Sequence, residues 1–146
     1  MLGIYLSCSK REERNHEYIP VLKIDIPENL KDDEELYDFI LLTEENINEF
    51  SDEIEATAIA GHNLISIPQD SLSIVEGLEI TKTMLDFYYE CNQLESTINK
   101  FDEFIVNRQS SDLLNRQQIA ELKSISRKFK QRTKLLNKKY SEFYKR

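Results

Sequence analysis

The stretch ITKTMLDFYYECNQLESTINKFDEFI, residues 80–105, decides the fold class. Ile80, Met84, Phe87, Cys91, Leu94, Ile98, Phe101 and Ile105 follow one another at alternating spacings of four and three. On an α-helix such positions line one stripe, and a mean spacing of 3.5 is the seam of coiled-coil packing. All eight are apolar, so the spacing predicts a long helix within 70–108. A second stripe, Leu72, Val75, Leu78, Leu85, Tyr88 and Tyr89, thickens the N-terminal half of that helix. That half is expected to face more than one neighbour.

Beyond the seam, Asn107 to Ser111 are polar, and Ser111 or Asp112 reads as the N-cap of a last helix. Its seam is Ile119, Leu122, Ser126, Phe129, Thr133, Leu136, Tyr140 and Phe143. Two long amphipathic helices joined by a polar turn near 107–112 predict an antiparallel hairpin over 69–146. In that hairpin Phe87 and Tyr140 are expected to meet.

In the other direction, residues 18–27 alternate after Pro20. Leu22, Ile24 and Ile26 point one way, and Val21, Lys23 and Asp25 the other, the period of a half-buried strand. Residues 2–6 are its candidate pairing partner, with a polar loop over 10–17. Two strands alone are marginal in water and must lean on a helix or a partner. Residues 28–55 carry twelve Asp/Glu against one Lys. Within them Leu36, Phe39 and Ile40 share a helical face. Thr43 reads as an N-cap and Gly61 as a stop, which predicts an acidic helix over 44–60 with Ile47, Phe50, Ile54 and Ala58 inward. Asp70 or Ser71 is the expected cap of the long helix. The fold class is therefore mainly α: a coiled-coil-like antiparallel helical hairpin over 69–146, and a small acidic N-terminal region, 1–67, with one or two short strands and an acidic helix.

The chain has 146 residues and a net charge of −8. Residues 112–146 hold eleven Lys/Arg against three acids, a balance of +8, so the preceding 111 residues carry −16. No run approaches the roughly 20 apolar residues that span a bilayer. Met1 to Cys8 lack the basic start and apolar length of a secretory signal, and Leu6-Ser7-Cys8 lacks the basic stretch that precedes a lipid-attachment site. Two cysteines, Cys8 and Cys91, make no disulfide framework and have no zinc spacing with His16 or His62. An intracellular, cytoplasmic protein is expected, with the nucleus as the other compartment.

Catalytic motifs are wanting. Three glycines build no phosphate-cradling loop, and neither histidine sits in a nucleophile or metal motif. Asp32-Asp33-Glu34-Glu35 is contiguous rather than spaced as a calcium loop, so a solvated acidic face is the simpler reading. Cys91, on the seam, reads as a small core residue. No enzyme activity, cofactor, metal or small-molecule substrate is expected.

Two surfaces remain. Arg127, Lys128, Lys130, Arg132, Lys134, Lys138 and Lys139 put seven cations into thirteen residues. Their simplest reading is a solvated face paired with Glu76, Glu79, Asp86, Glu90, Glu95, Asp102 and Glu103 of the neighbouring helix. The other readings are an acidic protein, a nucleic acid or an anionic membrane. A pI of about 4.9 speaks against a dedicated nucleic-acid binder. The second surface is the apolar surplus, Leu72, Val75, Leu85, Tyr88, Tyr89 and Tyr144, as anchors for a partner. The leading expectation is a non-enzymatic subunit or adaptor that forms a homo- or hetero-oligomer through its hairpin. The alternative is nucleic-acid or anionic-membrane binding through 123–139.

Overall fold

The structure, a computed structural model, describes residues 18–145. The expected strand at 2–6, the loop at 10–17, Cys8 and His16 lie outside the described residues. Among the described residues four helices carry the fold: α1 (Glu28–Lys31), α2 (Glu34–Ile65), α3 (Ile74–Ser110) and α4 (Arg116–Lys139). Short 3-10 turns lie at Gln69–Ser71 and Ser141–Tyr144. The protein is mainly α, with no strand among the described residues.

The α3 seam is inward as its spacing predicts. Ile80, Phe87, Leu94, Ile98, Phe101 and Ile105 are buried, and Met84 and Cys91 half-buried. Leu122, Ser126, Phe129, Leu136, Tyr140 and Phe143 are buried in turn. One continuous apolar core runs from Ile24 to Phe143 and joins α2, α3 and α4. Helix α3 packs most extensively on α2.

Each long helix begins on a side chain that satisfies orphan amide N–H groups. Asp33 caps α2 by accepting from the Leu36 N–H at 3.0 Å. Ser73 and Glu76 form a capping box at α3, and Asn115 and Gln118 form one at α4. These displace the expected caps. Asp70 and Ser71 belong to the 3-10 turn, and Ser111 and Asp112 to the α3–α4 connection, where Asp112 takes φ 56°. The turn is therefore 111–115 rather than 107–112.

Two further expectations are corrected in α2. The helix is continuous through Thr43, which is buried and whose Oγ1 donates to the Phe39 carbonyl at 2.7 Å. A hydroxyl satisfied on its own preceding turn leaves no reason for a break. Gly61 lies inside the helix, not after it. A Cβ there would overlap Thr83 Cγ2 of α3, so glycine permits close approach of two helices. The helix ends at Ile65, with the Ser66 Oγ donating to the His62 carbonyl at 2.8 Å.

The expected strand at 18–27 is an extended segment whose partner is a helix. Ile24 and Ile26 are buried and Leu22 half-buried, while Val21, Lys23 and Asp25 face out, so the period-two pattern holds. The Ile19, Leu22 and Ile24 N–H groups donate to Glu55 Oε2, Asn48 Oδ1 and Glu44 Oε2, at 2.8, 2.8 and 2.6 Å. The geometry explains the register. Two extended residues rise ~6.6 Å and four helical residues ~6 Å; three extended residues rise ~10 Å and seven helical ones ~10.5 Å. The segment runs antiparallel to α2 and reads one face of it. Arg132 of α4 donates to the Pro20 carbonyl from the other side. Residues 18–27 thus bridge α2 and α4.

Candidate interaction surface

The α3 helix has 37 residues and α4 has 24. The thirteen-residue excess leaves ~20 Å of α3 beyond the end of α4. The Ser141–Tyr144 turn caps the overlap: Phe143 stacks on Phe87 at 4.5 Å between centroids, and the Tyr88 hydroxyl donates to the Phe143 carbonyl at 2.9 Å. Phe143 thus fills the place expected for Tyr140, because α4 stops at Lys139 and the chain turns. Tyr140 faces α2 instead and donates to Glu55 Oε1 at 2.7 Å.

The N-terminal half of α3 is apolar on two faces. One packs on α2. The other is bare: Ile74, Val75, Leu78, Leu85 and Tyr89 are 85, 66, 67, 63 and 64% exposed. At 100° per residue, Ile74, Leu78, Leu85 and Tyr89 fall within about 40° of the direction opposite buried Phe87. The same lane continues through Asn92, Ser96 and Glu103, so the apolar stripe ends at Tyr89. It covers four turns, ~22 Å. Its edge toward α2 carries Glu79 and Asp86, and Lys82 lies nearer the stripe's centre on that same side; the opposite edge carries Thr81 and Tyr88. Behind the acidic edge, between α2 and α3, Glu90 accepts from the Thr57 hydroxyl at 2.8 Å. Burial, with Glu53 and Asp86 nearby, pushes the Glu90 carboxyl up to about 7.

Of the residues expected as anchors, Val75, Leu85 and Tyr89 lie on the bare stripe. Leu72 and Tyr88 are half-buried. Tyr144, 44% exposed, donates to Asn137 Oδ1 at 2.7 Å and lies 3.5 Å from Cys91 Sγ. The sequence expectation omits Ile74 from the stripe and leaves Leu78 out of the anchors; the steps of four, seven and four residues from Tyr89 through Leu85 and Leu78 to Ile74 were the available signal. Burial raises the Cys91 thiol pKa, which suits a packing residue better than a nucleophile.

The basic residues of α4 divide into two sets. Arg132 is buried against Pro20, and Lys139 pairs with the buried Glu55 at 2.6 Å. Arg116, Lys123, Arg127, Lys130, Lys134 and Lys138 share an outward lane over 22 residues, ~33 Å, and Lys128 is exposed beside it. Of the seven α3 acids expected to face α4, Asp102 alone forms an ion pair with it among the described residues, with Lys130 at 2.6 Å. Lys123, Arg127 and Lys130 line an open groove of about 380 Å³ between α3 and α4, with Asp102 and Val106 opposite.

Among the described residues no three His, Cys, Asp or Glu side chains are placed to hold a metal ion. No described helix is long and apolar enough to cross a membrane. His62 is exposed, with Nδ1 3.0 Å from Glu142 Oε1. No family model, curated protein or solved structure matches the chain.

Proposed function

We propose that this protein is a non-enzymatic interaction subunit whose docking surface is the outward stripe of α3, Ile74, Val75, Leu78, Leu85 and Tyr89. The observation that supports the reading is the exposure of four large apolar side chains in one lane, with exposed Val75 beside it, on a helix whose opposite face is already packed. Scattered apolar residues are ordinary on a surface, but a contiguous stripe marks an interaction site. Burying each of these side chains is worth ~1.5–3 kcal/mol of gross transfer energy. The test pairs the wild-type chain with Leu78→Asp/Leu85→Asp, purified in parallel from the native cell and by sedimentation equilibrium. A partner, or a second copy, held by the wild type and lost by the variant is expected. Identical behaviour of the two chains ends the reading.

A second reading rests on a separate observation, the six-cation lane of α4. It offers a polyanion, a nucleic acid or an acidic membrane, a ~33 Å track. Retention on DNA, RNA or acidic liposomes that weakens with salt, and is lost in Arg127→Glu/Lys134→Glu/Lys138→Glu, supports it. No retention at low salt ends it.

A further inference from the structure

We infer that the occupant of the α3 stripe is an amphipathic helix of another protein, with a lysine- or arginine-rich edge that lies along Glu79 and Asp86. The inference rests on the docking reading above and adds the identity of what docks.

The stripe's length sets the form of the ligand. Apolar side chains at positions 74, 78, 85 and 89 recur at helical spacing, and polar Asn92 and Ser96 end the lane. A straight stripe of four turns matches an α-helix of ~15 residues, laid along α3 as in helix-in-groove recognition. The two edges then set its charge. Glu79 and Asp86 lie on the α2 side, and Glu53 and Glu49 add negative potential behind them: Glu53 raises the Glu90 pKa and Glu49 that of Glu53. On that side Lys82 is the one cation of α3 within the span of the stripe. The other edge, Thr81 and Tyr88, is uncharged. A helix with cations along one edge complements this asymmetry, and complementary edges choose partner and orientation. The chain already contains such a pairing, in the ion pair of Asp102 on α3 with Lys130 of the basic helix α4.

A second copy of the chain fits less well. Antiparallel pairing of 74 with 89 and 78 with 85 sets each edge against its own copy. Lys82 then meets Lys82, and Asp86 meets Glu79; the Glu79–Lys82 contact alone is favourable. Parallel pairing sets the acidic edge against Thr81 and Tyr88, which bring it no charge. Like charges across such a seam act against association.

The experiment uses the full chain and two synthetic helical peptides of about 16 residues with the same apolar seam. One carries lysines along one edge and the other glutamates. Binding is followed by fluorescence anisotropy at ~8 Å Debye length, physiological salt. The lysine peptide is expected to bind at least tenfold more tightly. Glu79→Lys/Asp86→Lys should reverse the preference, and Leu78→Asp/Leu85→Asp should abolish binding of both; these exposed positions leave the core intact, which circular dichroism verifies. Equal binding of the two peptides, or a wild-type dimer that Leu85→Asp dissociates, overturns the inference and leaves the docking reading standing. No binding by either peptide, with a monomeric chain, overturns both.

Discussion

Glu55 is the residue on which most of the polar organisation converges. It is fully buried and accepts from the Ile19 N–H, Lys139 Nζ and the Tyr140 hydroxyl, so one carboxylate ties the extended segment, α2 and the end of α4. A buried charge is tolerable only when its partners are all present. Glu55→Gln turns one acceptor into a donor facing donors. It should cost about 3 kcal/mol, whereas Tyr140→Phe, which leaves Lys139 in place, should cost about 1 kcal/mol. Urea denaturation of the two variants checks the order. Glu90 is the opposite case. Its second oxygen, Oε2, is buried with no hydrogen-bond partner, and its carboxyl titrates near 7, above the ordinary 4.5. Between those values the native state binds the extra proton, so stability falls as pH rises through the window. The acids that act on it are Glu53 from α2 and Asp86 from α3. Glu90→Gln should therefore stabilise the chain at pH 8, on the order of 1 kcal/mol after solvent screening, and the gain should vanish by pH 5. Thermal melts at the two pH values decide it. The two described helical glycines give a third contrast. Gly77→Ala has open space around it and should stabilise α3 by about 0.5–1 kcal/mol. Gly61→Ala overlaps the stiff Thr83 side chain and should destabilise by about 1–3 kcal/mol despite alanine's better helix propensity.

At the scale of elements, the segment 18–27 shows what a hydrophobic period does and does not specify. Alternation placed Leu22, Ile24 and Ile26 correctly on the inward side, yet the hydrogen-bond ladder is made of helix side chains. Asn48 is the central rung, accepting from the Leu22 N–H and donating to the Leu22 carbonyl, both at 2.8 Å. Asn48→Leu keeps the volume and strands both groups, with an expected cost of about 2–3 kcal/mol and faster amide exchange at Leu22 and Ile24. That ladder was illegible in the sequence, because Glu44, Asn48 and Glu55 stand 20 to 36 positions from their partners and look like any solvated acidic face. The seams of α3 and α4 were legible because apolar side chains recur locally. The helix starts were harder. Asp70, Ser71 and Ser73, like Ser111, Asp112 and Asn115, are all residue types that can cap a helix, and the reciprocal Glu76 and Gln118 select Ser73 and Asn115. The bare stripe was half legible. Excess apolarity marked the N-terminal half of α3, but which residues stay exposed depends on where α4 stops.

Across the whole molecule, the split between an acidic body and a basic C-terminal helix divides into structural and superficial charge. Arg108, nearly buried at the end of α3, reaches Asp33 and Glu35 at the start of α2. Burial alone would push the Asp33 carboxyl up, but the Leu36 N–H and Arg108 hold it below the usual range. Arg132 and Lys139 bind the extended segment and Glu55 in the same inward sense. Among the described residues, charges on the outward lane of α4 make no comparable ties, apart from Lys130 with Asp102. Exposed charges contribute little to stability, typically within about 0.5 kcal/mol each. Lys128→Glu/Lys134→Glu/Lys138→Glu should therefore leave the urea midpoint nearly unchanged, although it shifts the net charge by −6. Arg132→Met, a single substitution at a buried side chain, should cost about 2–3 kcal/mol, because it strips the Pro20 carbonyl of its donor and cuts the tie between α4 and the extended segment. If the triple reversal instead unfolds the chain, the outward cations hold the bundle together through the acidic body, and the basic lane is not a surface available to any ligand.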